Sequence, residues 1–430
     1  MKRSLDSLMT PFMNSSKRLL LSIFLCFFLI QCSDNSKPEN AVPTELAEQA
    51  EKIEPNRVLD EIPQHIQEVE NLAIFPGDSE PLYSIDLIQE QTYGETGEPY
   101  LVKIYGSVVD DQGRVIVRSA NSNYEQQLFI FDSDGTFRSK LGRQGKGPGE
   151  YGIILGIYSK NNIIFVLDYT SQRLNEYSSL DYKITRSILF EEWKAPENFK
   201  FSSVEPRYDD NYHVTFSNHR SKFGTQEIIQ MAKDNEGKEV NFEPLRFPVG
   251  YKITTGKSKL PTPTMPLTFL GTTRTELSQR DELFTNWSRE FLIKKYDSNG
   301  KYQSAIYYPI LGVPFILEDY TKSAVFSPNV REIEKALSAD GIDIPDRLPV
   351  IDRLIIDDEN RIWVALPTSS SRETYEWWIL EENGELLAKV LLPRDQAIYD
   401  IKNGHLYSKE TDEESGDEFV AKYRIELTEK

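Results

Sequence analysis

Short apolar runs separated by turn residues dominate the chain from Leu82 onward, and helical periodicity is almost absent there. The runs alternate apolar with polar positions and are rich in Val, Ile, Tyr and Phe, which is typical of half-buried strands. Many of them follow an acidic or Asn/Gly turn, as in "DDQGRVIV" at Asp110 and "DDENRIWVAL" at Asp357. The pattern therefore predicts an all-β domain built from many short strands.

A second pair of strands, joined by a tight turn, follows most of these runs. Four of the five turns end in glycine, which supplies the positive φ that a hairpin requires; they are Gly135, Gly237, Gly300 and Gly384. The complete unit has four strands and recurs about every 40 to 50 residues where no insertion intervenes. Repetition at this period is typical of a β-propeller.

The last unit is incomplete, because the chain stops after "EFVAKYRIEL" without a fourth strand. An orphan strand, Leu82 to Gly94, precedes the first unit. A circular array must pair its first and last edges, since open edges invite aggregation. We therefore predict a six-bladed β-propeller over residues 79–430, in which the N-terminal strand becomes the outer strand of blade six.

Two insertions interrupt the repeat, at about residues 247–275 and 311–348. The first is rich in Thr and Pro. The second contains "SPNVREIEKALSADG", in which Ser327 as N-cap, Pro328 and Gly341 predict a helix of about three turns between blades four and five. Both join the outer strand of one blade to the inner strand of the next, on the face where propellers usually bind ligands.

The N-terminal segment reads as an export signal rather than as part of the fold. Lys17 and Arg18 precede the apolar run "LLLSIFLCFFLI", which is too short to span a bilayer, and "LIQCS" places Cys32 where a bacterial lipoprotein is lipidated. The alternative is an uncleaved signal anchor. We predict a signal peptide at 1–31, an acidic flexible tether at 32–78, and a lipid anchor in the cell envelope, at the outer membrane.

The glycine-rich segment from Lys140 to Gly152 lacks the features of a phosphate loop. No hydroxyl residue follows Lys146, and the next segment is strand-like, so no helix N-terminus would meet a phosphate. The segment is better explained as the tight crossing from blade one to blade two. Arg143, Lys146, Glu150 and Tyr151 then become candidates for a ligand-binding face.

With "LFIFDSDGTFRSKLGRQGKGPGEYG" and the following "IIFVLDYTSQRLNEYS", the chain resembles bacterial six-bladed β-propeller lipoproteins with NHL-like repeats, of the Bacteroidetes type. The resemblance covers most of Asn71 to Leu427, is most specific at Gly142–Tyr151, and weakens in blades three and four. It implies a fold and an envelope location and leaves the chemistry open.

Candidate chemistry is sparse. The two cysteines lie at or before Cys32, and the four histidines show no metal-ligand spacing, so we predict no catalytic residue, metal ligand or cofactor. Four aspartates near inner-strand ends are read as turn caps, with an axial calcium ion as the alternative; they are Asp110, Asp209, Asp352 and Asp357. Trp287 and Trp363 are candidates for an aromatic ligand platform, and strand alternation predicts that Trp377 or Trp378 is exposed.

The net charge of −19 argues against nucleic acid and anionic lipid as partners. The sequence favours a binding or scaffold propeller for a protein, peptide or glycan, met on the face that carries the insertions. The alternative is a metal-dependent enzyme of the NHL or lactonase kind, with its site at the propeller axis.

Overall fold

The computed structural model describes residues 57–95, 99–218, 226–254, 264–322 and 330–430. The predicted signal peptide, Cys32 and the first part of the predicted tether lie outside these residues. None of the helices in the described chain has the length and hydropathy needed to cross a membrane.

The fold is a six-bladed β-propeller, as predicted, and each blade contains a four-stranded antiparallel meander. Blades one and two comprise Lys103–Val109, Val115–Ala120, Gln126–Phe131 and Phe137–Lys140, then Ile154–Lys160, Ile163–Asp168, Arg173–Ser178 and Ile184–Leu189. Blades three and four comprise Lys200–Pro206, Tyr212–Ser217, Glu227–Lys233 and Leu245–Pro248, then Thr273–Leu277, Leu283–Trp287, Leu292–Tyr296 and Tyr302–Tyr307. Blade five comprises Arg353–Ile356, Ile362–Pro367, Thr374–Leu380 and Leu386–Pro393, and blade six Ile398–Lys402, His405–Thr411, Glu418–Glu429 and Tyr83–Tyr93.

The N-terminal strand closes the ring. Tyr83–Tyr93 pairs antiparallel with Glu418–Glu429, from Tyr83 opposite Glu429 to Tyr93 opposite Val420. The four hairpin glycines have the predicted positive φ, between 78° and 98°. The sequence-based account of closure and of the turns is therefore confirmed.

The strand order gives the propeller two distinct faces. The turns between first and second strands lie at one end of every blade, which we call the turn face. The connections from one blade to the next lie at the other end, which we call the crossing face, together with the turns between second and third strands. Both insertions and the glycine-rich segment are on the crossing face.

Hydrophobic clusters join neighbouring blades around most of the ring. Clusters drawing on both partners lie between blades one and two, two and three, four and five, five and six, and six and one. Members from neighbouring blades include Ile116 and Ile164, Leu167 and Val214, and Phe284 and Val364. Among the described residues, no such cluster joins blade three to blade four.

The two insertions pack together into a small subdomain, which we call the insertion cap. It contains the short sheet of Lys252–Thr254 with Thr264–Pro266, the 3₁₀ turn Thr268–Leu270, and the helices Leu317–Lys322 and Val330–Ala339. Its core joins residues of both insertions, such as Phe269 stacked on Phe315 at 4.8 Å between ring centroids. The predicted helix is confirmed and the second helix was not predicted; Ser327 and Pro328 lie outside the described residues.

The predicted tether is wrong for residues 57–78, which pack on the propeller. Leu72–Ile74 pairs in parallel with the outer strand of blade four, and the helix Gln64–Gln67 buries Ile66. The Nε of Arg57 donates to the carbonyl of Leu311 at 3.0 Å. The short apolar run Leu72–Ile74 pairs with the outer edge of blade four, which would otherwise be unpaired. Pairing with a distant edge of this kind gives little signal in the local sequence.

Candidate functional site

The glycine-rich segment folds back on itself as a blade crossing. Arg143–Gln144 pairs in parallel with Glu150–Tyr151. The Glu150 carboxylate accepts the backbone N–H groups of Gly147 at 2.9 Å and Lys146 at 3.0 Å, and Arg143 Nη2 lies 2.7 Å away. These backbone hydrogen bonds, with Arg143, lower the pKa of Glu150. The carboxylate is thus engaged inside the loop.

Two fully buried side chains of blade two hold this crossing in place. Asn175 accepts the N–H of Gly149 at 3.1 Å and donates to the carbonyl of Glu150 at 2.8 Å. Asp168 accepts the N–H of Gly152 at 3.0 Å while also capping its own turn through Thr170. The segment is therefore a structural element first, and it leaves the side chains of Arg143 and Lys146 exposed on the crossing face.

Two of the predicted ligand-face residues are buried, and the prediction is wrong for them. Tyr151 is 1% exposed and donates its hydroxyl to the carbonyl of Leu141 at 2.9 Å, while Trp363 is 0% exposed and donates Nε1 to Asp357 at 3.0 Å. Trp377 and Trp378 are both buried, contrary to the expectation that one is exposed. A blade packs against a neighbour on each side, so alternation along its strands does not separate buried from exposed residues.

Trp287 is placed differently, in an open groove between blades three and four. We call this the outer groove; it has a volume of about 360 Å³. Blade three contributes Phe247 and Pro248, and blade four contributes Trp287 and Tyr296, with Phe247 and Tyr296 in edge contact at 6.1 Å. The predicted group is therefore split, because Arg143, Lys146 and Glu150 lie at the junction of blades one and two.

The polar lining of the outer groove comes mainly from blade four and the N-terminal segment. Thr285, Asn286 and Lys294 line it, and His65 lies 2.6 Å from Glu290 at its edge. Asn286 is 2% exposed and donates to the carbonyls of Glu290 at 2.8 Å and Leu292 at 2.9 Å. Its buried Oδ1 has no hydrogen-bond partner in the described chain.

A second cavity, the inner cavity, lies between the same two blades nearer the axis and has a volume of about 150 Å³. Blade three turns a patch of polar side chains toward it: Ser203, Glu205, His213, Thr215 and Gln230. Strand register makes this patch continuous, since Glu205 is opposite His213 and Thr215 is opposite both Ser203 and Gln230. Thr275 and Glu276 of blade four face this patch.

The inner cavity adjoins an axial cavity of about 280 Å³ at the turn face, and Tyr158, Glu205, Glu276 and Leu277 line both. Burial, reinforced by the charge of Glu205, raises the pKa of Glu276 to about 8. Burial also raises the pKa of Asp400, on the opposite wall, to about 6. The axis is therefore lined by carboxylates whose charged forms are disfavoured.

The aspartates near the inner-strand ends are occupied by backbone and side-chain donors. Asp110 accepts the N–H groups of Gln112 and Arg114, both at 2.9 Å, and Asp357 accepts those of Glu359 at 3.0 Å and Arg361 at 2.8 Å. Asp209 likewise caps its turn, whereas Asp352 pairs with Arg274 at 3.3 Å. Within the described residues, no group of three or more His, Cys, Asp or Glu side chains is arranged to hold a metal ion.

The polar residues of the inner cavity were not predicted as a site. Their sequence signal was weak: the first strand of blade four carries Thr275 and Glu276 within a stretch poor in apolar residues, and His213 sits in an ordinary strand. Only the register across blade three and its packing against blade four bring them together.

Residues 93–255 match the protein family described as a six-bladed β-propeller. The matched segment runs from the end of the closing strand through blades one to three. A propeller family is therefore supported, while the NHL-like repeat remains a prediction. No curated protein matches the chain significantly.

Several solved structures resemble the chain at low identity. A protein from Bacteroides fragilis described as exported is 12% identical, with a TM-score of 0.48, and the match covers 83% of this chain and 99% of that one. A PQQ-bound aldose sugar dehydrogenase from Streptomyces coelicolor is 11% identical, with a TM-score of 0.39 and coverage of 81% and 100%. A streptogramin B lyase is 9% identical, with a TM-score of 0.37 and coverage of 81% and 100%. At such similarity, none of these likenesses indicates a shared activity.

Proposed function

We propose that this protein is a binding propeller of the bacterial envelope, and that its ligand occupies the outer groove between blades three and four. One observation carries the proposal: this is the blade interface at which the described residues form no joint hydrophobic cluster, and two cavities take its place. Protein interiors are otherwise close-packed, so an interface left open and polar is the exception that needs a function.

The lining of the outer groove favours a glycan over a hydrophobic peptide. Trp287 offers an indole ring next to hydroxyl, amide and ammonium groups from Thr285, Asn286 and Lys294. Sugar rings present apolar faces and many hydroxyl groups. The indole ring can stack on the apolar face, and the polar groups can form hydrogen bonds with the hydroxyl groups. The free Oδ1 of Asn286 is an acceptor already desolvated for a ligand hydroxyl.

The backbone around Trp287 is shaped to hold its ring. Gly271 has φ of 104°, and a Cβ there would lie 2.5 Å from Cζ2 of Trp287. Arg289, two residues further on, donates to the carbonyls of Phe269 at 3.1 Å and Arg347 at 2.9 Å, which ties the turn to the insertion cap. The groove wall is therefore preorganised, which reduces the entropy lost on binding.

The envelope location rests on the sequence pattern of residues 1–32. A lipid on Cys32 would place the propeller at a membrane surface, within reach of envelope polysaccharides.

Trp287→Ala tests the groove directly. On an oligosaccharide array that includes bacterial envelope glycans, we expect the wild-type domain to bind and the variant to lose at least about tenfold in affinity, because truncating a central tryptophan contact to alanine costs about 2 kcal/mol or more. Leu180→Ala is the control, since this side chain is 71% exposed on the opposite, turn face. Equal glycan binding by wild type and Trp287→Ala, or binding of envelope peptides alone, would refute a glycan site in this groove.

A further inference from the structure

The inner cavity is distinct from the outer groove and has a different chemistry. We propose that the inner cavity, with the axial cavity that it adjoins, binds a small organic cation, whose ammonium group lies among Glu276, His213 and Gln230. The proposal does not depend on the glycan assignment of the outer groove.

A carboxyl group without a cationic partner is the first argument. Each cationic side chain near the inner cavity already has a carboxylate partner: Lys160 with Glu205 at 3.2 Å, Arg207 with Asp209 at 2.8 Å, and Arg274 with Asp352 at 3.3 Å. The side chain of Glu276, by contrast, makes no hydrogen bond or ion pair within the described chain. A carboxylate left unpaired in a cavity is costly unless a cation joins it.

Unpartnered acceptors are the second argument, and they are independent of the charge. Gln230 is 2% exposed; its Nε2 donates to Thr275 at 3.1 Å, while its Oε1 has no partner in the described chain. His213 is 4% exposed, and the side chain of Gln230 is its one hydrogen-bonding neighbour in the described chain, so at least one ring nitrogen has no partner there. An ammonium group carries three donors and no acceptor, and it would satisfy the Oε1 of Gln230 and one imidazole nitrogen together.

Electrostatics around His213 keep it an acceptor. Burial, with the nearby positive charge of Arg207, lowers the pKa of His213 to about 3, so the ring is neutral at physiological pH. A neutral imidazole offers one lone pair to a donor. The site thus presents neutral acceptors to an ammonium group, beside a carboxyl group that becomes an anion when Glu276 ionises.

The shape of the combined space sets the size of the ligand. A cavity of about 150 Å³ holds one end group, and the axial cavity of about 280 Å³ holds a short chain. Tyr158 lies between them, and Tyr208 and Tyr399 line the axial part, so aromatic faces would contact the chain or a second ammonium group. A linear diamine of three to five carbons matches this space.

Affinity should depend on pH through Glu276. Glu205, Arg274 and Lys160 act on its pKa, and Tyr158 and His213 line the same cavity. The other charged groups of the axial cavity are Asp357, Asp358, Asp400 and Lys402. Because its pKa is about 8, the carboxyl group of Glu276 is mostly protonated at pH 7 in the empty site. Its ionisation above pH 8 creates the anion that the cation needs. If only the ionised form binds, affinity rises about tenfold from pH 7 to pH 9, over which a diamine stays largely protonated.

The test is titration of the purified propeller with 1,4-diaminobutane, followed by calorimetry at pH 7 and pH 9. We expect binding that strengthens with pH in the wild type and a loss of at least about tenfold in Glu276→Gln, which keeps the size and removes the charge. Glu385→Gln, an exposed carboxylate on a blade-five hairpin, is the matched control and should bind as the wild type does.

Three outcomes overturn the proposal: no heat of binding at pH 9, equal affinity in wild type and Glu276→Gln, or equal affinity for 1,4-butanediol, which lacks the charge. The two proposed sites can fail separately. Trp287→Ala should keep diamine binding, and Glu276→Gln should keep glycan binding. If either ligand fails to bind to both variants, the two substitutions disturb the fold rather than separate sites.

Discussion

Closure of the ring by the N-terminal strand can be tested at Tyr93, where that strand joins two blades. Tyr93 is 0% exposed. Its ring contacts Phe131 of blade one and Tyr407 of blade six, at 6.2 Å and 6.5 Å between centroids, and its hydroxyl donates to the carbonyl of Ser133 at 3.3 Å. We predict that Tyr93→Ala destabilises the entire propeller rather than blade six alone.

The expected magnitude follows from burial. Truncating a fully buried aromatic side chain to alanine costs about 3–5 kcal/mol of unfolding free energy, through lost transfer energy and the cavity left behind. With a urea m-value of about 3 kcal/mol per molar for a domain of this size, the midpoint should fall by about 1–1.7 M. Tyr93→Phe keeps the ring and loses one long hydrogen bond, so its cost should stay near or below about 1 kcal/mol.

The tryptophans supply a suitable assay, because all five lie outside blades one and six, at Trp193, Trp287, Trp363, Trp377 and Trp378. Urea unfolding followed by their fluorescence therefore reports on blades distant from the mutation through Trp193 and Trp287, and on the contacts with blade six through Trp363 and Trp377. A midpoint unchanged within about 0.2 M, with early loss of structure seen only by circular dichroism, would show that the ring does not unfold as one unit. The closing strand would then be a local latch.

Two further outcomes are expected. Gly142→Ala should cost about 2 kcal/mol of unfolding free energy in urea denaturation, because φ is 63° and a Cβ would lie 2.6 Å from the hydroxyl of Tyr177. Gly404→Ala is the control: φ is 71° but the space around it is open, so the cost should be only about 1 kcal/mol. Equal costs for the two variants would contradict the argument that crowding adds to the backbone strain at Gly142. Cys32→Ser should abolish incorporation of a palmitate analogue and release the protein from the membrane pellet, and unchanged labelling would refute lipidation at this residue.

Much of the fold could be predicted because its signals are local. Turn glycines such as Gly135 and Gly384 mark hairpins, and the missing outer strand of the last blade identifies its partner at the N-terminus. Pairing that depends on distant surfaces left no such signal. The strand Leu72–Ile74 attaches to blade four in parallel, more than 200 residues away along the chain, and was read as tether.

Burial was harder to predict than secondary structure, for a reason specific to propellers. Trp363, Trp377 and Trp378 lie on strands of blade five, which packs against blade four on one face and against blade six on the other. Each of these side chains is therefore buried, whichever face of the blade it lies on. Alternation separates core from surface only where one face of a sheet meets water. The same limitation hid the polar patch of blade three, since polar residues on a strand ordinarily indicate solvent.

A closed ring also explains how one interface can remain open. Polar atoms such as the Oε1 of Gln230, buried without a standard hydrogen bond in the described chain, cost free energy that a single pair of sheets would not offset. Here a hydrophobic cluster joins blade three to blade two, and another joins blade four to blade five. The closing strand completes blade six, so the ring as a whole prevents blades three and four from separating. Closure at blade six therefore supplies the rigidity that permits a ligand-sized gap on the far side of the ring. On this argument, Tyr93→Ala should weaken diamine binding as well as stability, although Tyr93 is remote from the inner cavity.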